Sequence, residues 1–143
     1  MKRRQDGAAI IEFTLVLLLF LMFLFGIMDF SRLLYTWQMA NEATREGARY
    51  AVACADQTDG ARARVVARMQ ALLPQLDDGK ISVVWEPGGC TSMTCEAVTV
   101  SINNMQFNWI SPIVGASKAP LIPMPSFSTY LQREMMSYNP KIC

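Results

Sequence analysis

A single carboxylate, Glu12, lies inside an otherwise apolar run that covers residues 8–28. An acid at the centre of a bilayer costs about 2.5–3.5 kcal/mol on insertion scales, and less near an interface. A cation about 4 Å away would recover about 4 kcal/mol at an effective dielectric constant of 20. The chemistry that this position favours is therefore ion pairing at or inside a membrane. Alternatively, the side chain extends along the helix to reach the nearest lipid headgroups.

The remaining side chains offer little catalytic chemistry. The 143-residue chain contains no histidine, which removes the commonest general base and the histidine-dependent zinc sites. The net charge of +1 provides no field that would attract nucleic acid. We therefore predict a protein that is not an enzyme, with no cofactor, no metal and no nucleic-acid partner. A membrane-tethered hydrolase is a weaker interpretation, since it needs a carboxylate pair and these external acids show no recognisable catalytic arrangement: Asp77, Asp78, Glu86, Glu96 and Glu134.

Four cysteines, Cys54, Cys90, Cys95 and Cys143, all follow the apolar run. No two of them have the spacing of a redox dithiol or a zinc knuckle. An even number on one side of a membrane segment favours disulfides in an oxidising compartment, although four reduced thiols are the alternative. Cys90 and Cys95 are close enough in sequence to close a small loop, which leaves Cys54 to pair with Cys143.

The apolar run is long enough to position Glu12 in a membrane. Its 21 residues would rise about 31 Å as a helix, enough to cross a hydrocarbon core of about 30 Å. The basic residues Lys2, Arg3 and Arg4 precede the run and should stay cytoplasmic, which places the carboxyl-terminal part outside the cytoplasm. A cleaved secretory signal does not fit, since the run is too long and no small-x-small cleavage site follows.

The helical pattern does not stop at the membrane boundary. Asp29 and Arg32 mark the outer edge, and Tyr35 and Trp37 follow as interfacial aromatics. Apolar residues keep helical spacing through residues 29–55, with no proline before Asp56. We therefore predict one continuous helix of about 45 residues, apolar first and amphipathic afterwards.

The rest of the chain predicts a small α+β domain. A second helix is expected over residues 60–73, capped by Thr58 or Asp59, with Ala61, Val65, Met69 and Leu72 on one face that packs inward. Alternating residues predict a β-hairpin over residues 80–85 and 96–102, and a third strand over residues 126–131 completes an antiparallel sheet of three to four strands. Residues 103–125 are too apolar for a disordered linker, and core packing, membrane contact and subunit contact all remain open.

The order of these features resembles a known family. A short basic leader, MKRRQDG, ends in Gly7; Ala8 and Ala9 follow, then Glu12 and Phe13, a long apolar helix and a mixed external domain. The runs GAAIIEFTLVLLLF and FGIMDFSRLLYTWQMANEATREGARYA look like those of the TadE/TadF-like minor pilins, or pseudopilins, of tight-adherence (type IVb) pili. Leu18 stands where such helices often carry a proline.

The resemblance implies a pilin-like fold and a processing event. In that family a prepilin peptidase cuts after the glycine, here Gly7, and the mature chain begins at Ala8. Glu12 and Phe13 would then take part in assembly and register. The implied regions are a cytoplasmic leader over residues 1–7, a transmembrane helix over 8–28, its amphipathic continuation over 29–55 and an extracytoplasmic head over 56–143.

The resemblance also implies where the protein works and what it contacts. It would sit as a single-pass protein in the inner membrane with a periplasmic carboxyl-terminal domain, and later in the pilus at the cell surface. Its partners would be the prepilin peptidase, the pilus assembly platform and other minor and major pilins. The expected role is to initiate or tip a filament used in adhesion.

Physical reasons can be given for the motif itself. Gly7 is a poor helix residue, and we expect it to keep residues 6–8 extended for a peptidase. Cutting there removes three basic residues and creates an ammonium at Ala8, which Glu12 of a neighbouring subunit can neutralise, so that the pair sets axial register. The alternative is that the amine meets Glu12 of its own chain, one helical turn away.

A different class of protein fits the same features. An unprocessed single-pass membrane protein would keep its leader and use its extracytoplasmic domain to bind a ligand or an envelope partner. The two interpretations differ in the N-terminus of the membrane-extracted protein, which is Ala8 for a pilin and Met1 for an anchor.

Overall fold

A computed structural model describes residues 6–54, 59–91, 94–110 and 122–132. The first element, α1, is a 48-residue helix over Asp6–Ala53. The continuous long helix predicted from the sequence is thus confirmed. It contains no proline, and apolar residues with good helix propensity fill its first half.

The second helix, α2, runs over Asp59–Leu72, close to the predicted bounds. Asp59 begins the helix, whereas Thr58 lies outside the described residues. Ala61, Val65 and Met69 are buried as the helical spacing predicts, but Leu72, expected on the same face, is exposed. Leu73 is buried instead, since it follows Met69 by four residues and continues the inner face just past the helix end.

The strands form two small sheets, of which the larger is antiparallel. After a short 3-10 turn over Asp78–Lys80 come β1 (Ile81–Glu86), β2 (Ala97–Ile102), β3 (Gln106–Phe107), β4 (Ile122–Pro123) and β5 (Phe127–Gln132). One sheet has the order β1-β2-β5, and the other pairs β3 with β4. The predicted hairpin and third strand are therefore confirmed, and the fold is α+β.

The central strand β2 supplies much of the core. Its register pairs Val98 with Trp85 on β1 and with Leu131 on β5. Val98, Val100 and Ile102 are buried on one face, as the alternation predicted. On β1 the apolar Val84 interrupts the alternation of apolar and polar residues in the sequence. Its side chain is exposed, so it points away from the core.

The hairpin loop between β1 and β2 is tied by a disulfide. Cys90 and Cys95 are joined, with their Cα atoms 4.9 Å apart, as the sequence predicted. Cys54 is also disulfide-bonded. Its predicted partner, Cys143, lies outside the described residues, so that pairing stays a prediction.

The chain divides into two compact units. The first consists of Met1–Leu34 with Phe107–Ile122, and the second of Tyr35–Gln106 with Pro123–Cys143. The second unit contains residues 35–53 of α1, together with α2 and the three-stranded sheet. The four regions predicted from the sequence remain predictions.

Within the second unit, α1 packs directly on the sheet. The Trp37 ring meets the edge of Phe127 with centroids 5.2 Å apart. The hydroxyl of Thr129 on β5 donates to the hydroxyl of buried Thr44, which donates in turn to the carbonyl of Asn41. These contacts fix the rotation of the helix relative to β5.

Replacing Thr44 with valine is expected to lower the free energy of unfolding by about 1 kcal/mol, since both hydrogen bonds are lost while the shape is kept. Thermal unfolding of the full chain in detergent measures the change. In a cycle with Thr129→Val, the double variant should lose less than the sum of the single losses, because the two hydroxyls share one bond. Additive losses would contradict a direct contribution from the Thr44–Thr129 bond.

Candidate functional site

The predicted processing residues lie at the start of α1. Gly7 and Ala8 are exposed and helical, because the helix begins at Asp6. The expectation that residues 6–8 are extended is therefore wrong for this structure. The first turn of any helix has no intrahelical partners for its N–H groups, and glycine weakens it by about 1 kcal/mol relative to alanine, so unwinding this turn costs little.

Glu12 lies one helical turn after Ala8 on the same side of α1. Its side chain is exposed, and it has no ion pair or hydrogen bond with any of the described residues. Phe13 is also exposed, with 66% of its surface accessible. A carboxylate on the surface of an apolar helix is thus available to a cation from outside the described chain.

The apolar surface around Glu12 extends along the first half of α1. None of the most apolar stretch of this helix is buried, and by length and composition the helix can cross a membrane. Large apolar side chains are exposed around the whole helix rather than on one stripe. A helix that is apolar on every face must be covered by lipid or by other helices. The exposed members near Glu12 include Ile10, Ile11, Leu15, Val16 and Phe20.

A buried acid lies just beyond this apolar stretch. Asp29 is only 2% exposed, and its Oδ1 lies 3.2 Å from Nη1 of Arg32 and accepts a 3.2 Å hydrogen bond from the N–H of Ile110. The guanidinium of Arg32 stands 5.4 Å from the centre of the Phe107 ring, which meets Trp109 edge-on at 6.0 Å. We call these five residues the Asp29 cluster.

Only two of the five residues of the Asp29 cluster were singled out from the sequence. Asp29 and Arg32 were expected at the outer edge of a membrane, but their contact with residues 107–110 was not predicted. The available signal was the apolar character of residues 103–125, for which three roles were left open. The structure assigns Phe107 to a buried position within the first unit, and residues 111–121 lie outside the described part.

The predicted disulfide cysteines lie elsewhere. Cys90 and Cys95 are buried in the loop between β1 and β2, and Cys54 follows the last helical residue of α1. Among the described residues, no three acids or cysteines are grouped so that they could hold a metal ion.

Comparison with known proteins identifies the segment that carries the candidate site. A family model described as TadE-like protein matches residues 7–49. No curated protein and no solved structure matches the chain. The matched segment begins at Gly7 and includes Ala8, Glu12, Phe13 and Asp29, whereas α2 and all the strands lie outside it. The family match therefore falls on the helix that bears the candidate site, and it agrees with the resemblance seen in the sequence.

Proposed function

We propose that this protein is a minor pilin, or pseudopilin, of a tight-adherence type IVb pilus. The observation that carries the proposal is the coincidence of three features in one segment. Residues 7–49 match the TadE-like model, residues 8–28 form an exposed apolar stretch of α1, and this stretch bears one acid, Glu12, five residues after Gly7.

The membrane holds the protein before assembly. The apolar half of α1 would span the inner membrane, with Lys2, Arg3 and Arg4 on the cytoplasmic side. The carboxyl-terminal part would then face the periplasm, where disulfides such as Cys90–Cys95 are stable.

Processing changes the charge at the start of the helix. A prepilin peptidase would hydrolyse the bond between Gly7 and Ala8, so that water supplies the new Gly7 carboxylate and the Ala8 amine takes up a proton. The released leader carries away three basic side chains, and one ammonium remains at the helix start. The side-chain position of Gly7 is open to a peptidase, since Gly7 is exposed and no described atom beyond its chain neighbours and its own helix backbone lies within 4 Å of where a Cβ would stand.

On assembly, helices of neighbouring subunits would take the place of the lipid around the apolar part of α1. The ammonium at Ala8 of one subunit would neutralise Glu12 of another, with an attraction of about 4 kcal/mol at 4 Å and an effective dielectric constant of 20. The charge pair would select the register, because it tolerates only a narrow range of axial shifts between the two helices. Apolar packing around Phe13 would add buried area between subunits but would not favour one axial shift over another. The α+β head would contact other pilins or a surface, in a role that needs no catalysis.

A second candidate is an unprocessed membrane anchor whose outer domain binds an envelope partner or a ligand. It shares the uncovered apolar helix and the disulfide-tied head. It provides no reason for Glu12 to occupy the exposed surface of the helix within the TadE-like segment, and we therefore favour the pilin.

Replacing Gly7 with valine is expected to block processing, because a β-branched side chain at the cut site crowds the peptidase. In the native host, the variant should keep its leader, remain in the membrane fraction and be absent from sheared pili. The matched control is Gly26→Val, also in α1 with open space around its Cα, which should be processed normally. Normal removal of the leader from Gly7→Val would contradict cleavage at this bond.

A further inference from the structure

The Asp29 cluster fixes a short loop segment against α1 at a defined height. The bond from the N–H of Ile110 to Oδ1 of Asp29 is 3.2 Å long, so the backbone of residue 110 lies within about one helical turn of residue 29. Residue 29 follows directly on the apolar run of residues 8–28. If that run fills the hydrocarbon core, as the proposed function requires, residue 110 lies at its outer boundary.

The side chains at this height are suited to a lipid boundary. Ile110 is 67% exposed, and Ile27, Met28 and Phe30, which lie at about the height of Asp29 along α1, are exposed as well. Trp109 is half-buried against Phe107, and tryptophan is enriched where acyl chains meet headgroups. Exposed apolar side chains of the helix and of the loop thus lie at the same height along α1.

The charges of the cluster are satisfied internally. Asp29 is buried, and it is neutralised by Arg32 while also accepting the Ile110 N–H. An acid in this state can approach the acyl region at a much lower cost than a bare carboxylate. The guanidinium of Arg32 remains partly exposed, at 41%, and can reach lipid phosphates.

We propose that Trp109 and Ile110 form a second membrane contact, inserted at the headgroup–acyl boundary of the outer leaflet and held at that depth by Asp29. The inference rests on the proposed membrane span but not on processing or pilus assembly. The occupant is the bilayer rather than a second copy of the chain, because the hydrogen bond to Asp29 holds the exposed Ile110 at the height where the apolar run of the proposed span ends.

Depth-dependent quenching by brominated lipids tests the proposal. A single-tryptophan form of the full chain, carrying Trp37→Phe and Trp85→Phe, is reconstituted into phosphatidylcholine vesicles, and circular dichroism checks its fold. Trp109 should be quenched several-fold more by lipids brominated near the headgroup than by lipids brominated near the bilayer centre. A separate single-tryptophan form, with Phe20→Trp and Trp109→Phe added, reports the depth of the span.

Two further variants, each with a matched control at the same position, test the role of the cluster. Ile110→Pro removes the donating N–H without altering α1, and Asp29→Ala removes the acceptor. Each should reduce the quenching of Trp109 several-fold, while Ile110→Ala, which keeps the N–H, and Asp29→Asn, which keeps an acceptor oxygen, should retain most of it.

The outcomes separate this proposal from the proposed function. Quenching of the residue-20 tryptophan by deep bromines together with shallow quenching of Trp109 supports the second membrane contact. Quenching at residue 20 with none at Trp109 overturns the contact and leaves the span intact. Absence of quenching at both positions overturns the span itself. Fluorescence of Trp109 that depends on protein concentration but not on bromine would assign the surface to a second copy and also overturn the proposal.

Discussion

Replacing Glu12 with glutamine should reduce incorporation of the protein into pili by at least about tenfold, since a loss of only 1.4 kcal/mol at each junction changes an equilibrium by that factor. Glutamine keeps the size and hydrogen-bonding capacity of the side chain and removes only its charge. The ammonium at Ala8 of the neighbouring subunit would then be left among apolar helices without a counter-charge. Membrane insertion should be unchanged or improved, because a neutral side chain is less costly in lipid.

Immunoblots of sheared pili and of membrane fractions from the native host measure both quantities together. Glu12→Asp, which keeps the charge on a shorter side chain, should show partial incorporation. Thr14→Val is the matched control, since Thr14 is also an exposed polar residue of α1, with its hydroxyl bonded to the carbonyl of Ile11. Normal incorporation of Glu12→Gln would show that the register does not depend on this charge.

Replacing Gly47 with leucine should strongly destabilise the second unit. A Cβ at position 47 would stand 2.8 Å from Sδ and 2.9 Å from Cγ of Met69, and 3.4 Å from Cγ1 of Val100. Met69 and Val100 are both fully buried and have little room to move. Overpacking of this kind costs about 1–3 kcal/mol, against at most about 1 kcal/mol regained from helix propensity, and leucine adds three further carbons to the clash.

A net loss of about 2 kcal/mol would lower the midpoint of thermal unfolding by about 8–16 °C for a unit of this size. Near-ultraviolet circular dichroism of the full chain in detergent follows the transition through Trp37 and Trp85. Glu42→Leu, at an exposed position of the same helix, should leave the midpoint nearly unchanged. Adding Met69→Ala to Gly47→Leu should restore part of the loss, and an unaltered midpoint for Gly47→Leu alone would contradict the tight packing of α1 against α2.

The elements with regular periodicity could be predicted from the sequence. The long helix follows from the absence of proline and the helical spacing of apolar residues, and the strands follow from alternation around β2. The burial of individual side chains was predicted less well at the end of an element. Leu72 was expected to be buried and is exposed, because the inner face passes to Leu73 at the end of α2.

The residues of the candidate site could also be predicted only in part. Gly7, Ala8, Glu12 and Phe13 could be selected because their order along the chain is itself the signal. The start of the helix at Asp6 could not be predicted. The low helix propensity of Gly7 indicates a weak first turn, but it does not fix the residue at which that turn begins. Contact between Asp29 and Ile110 joins residues 81 positions apart, and no local pattern encodes such a pairing.

The most direct test of the account is the mass of the protein extracted from membranes of the native host while it makes pili. We predict a chain that begins at Ala8 and lacks residues 1–7, with the leader retained when the prepilin peptidase gene is deleted. An intact chain that still begins at Met1 in both strains would contradict the account and would identify the protein as an unprocessed membrane anchor.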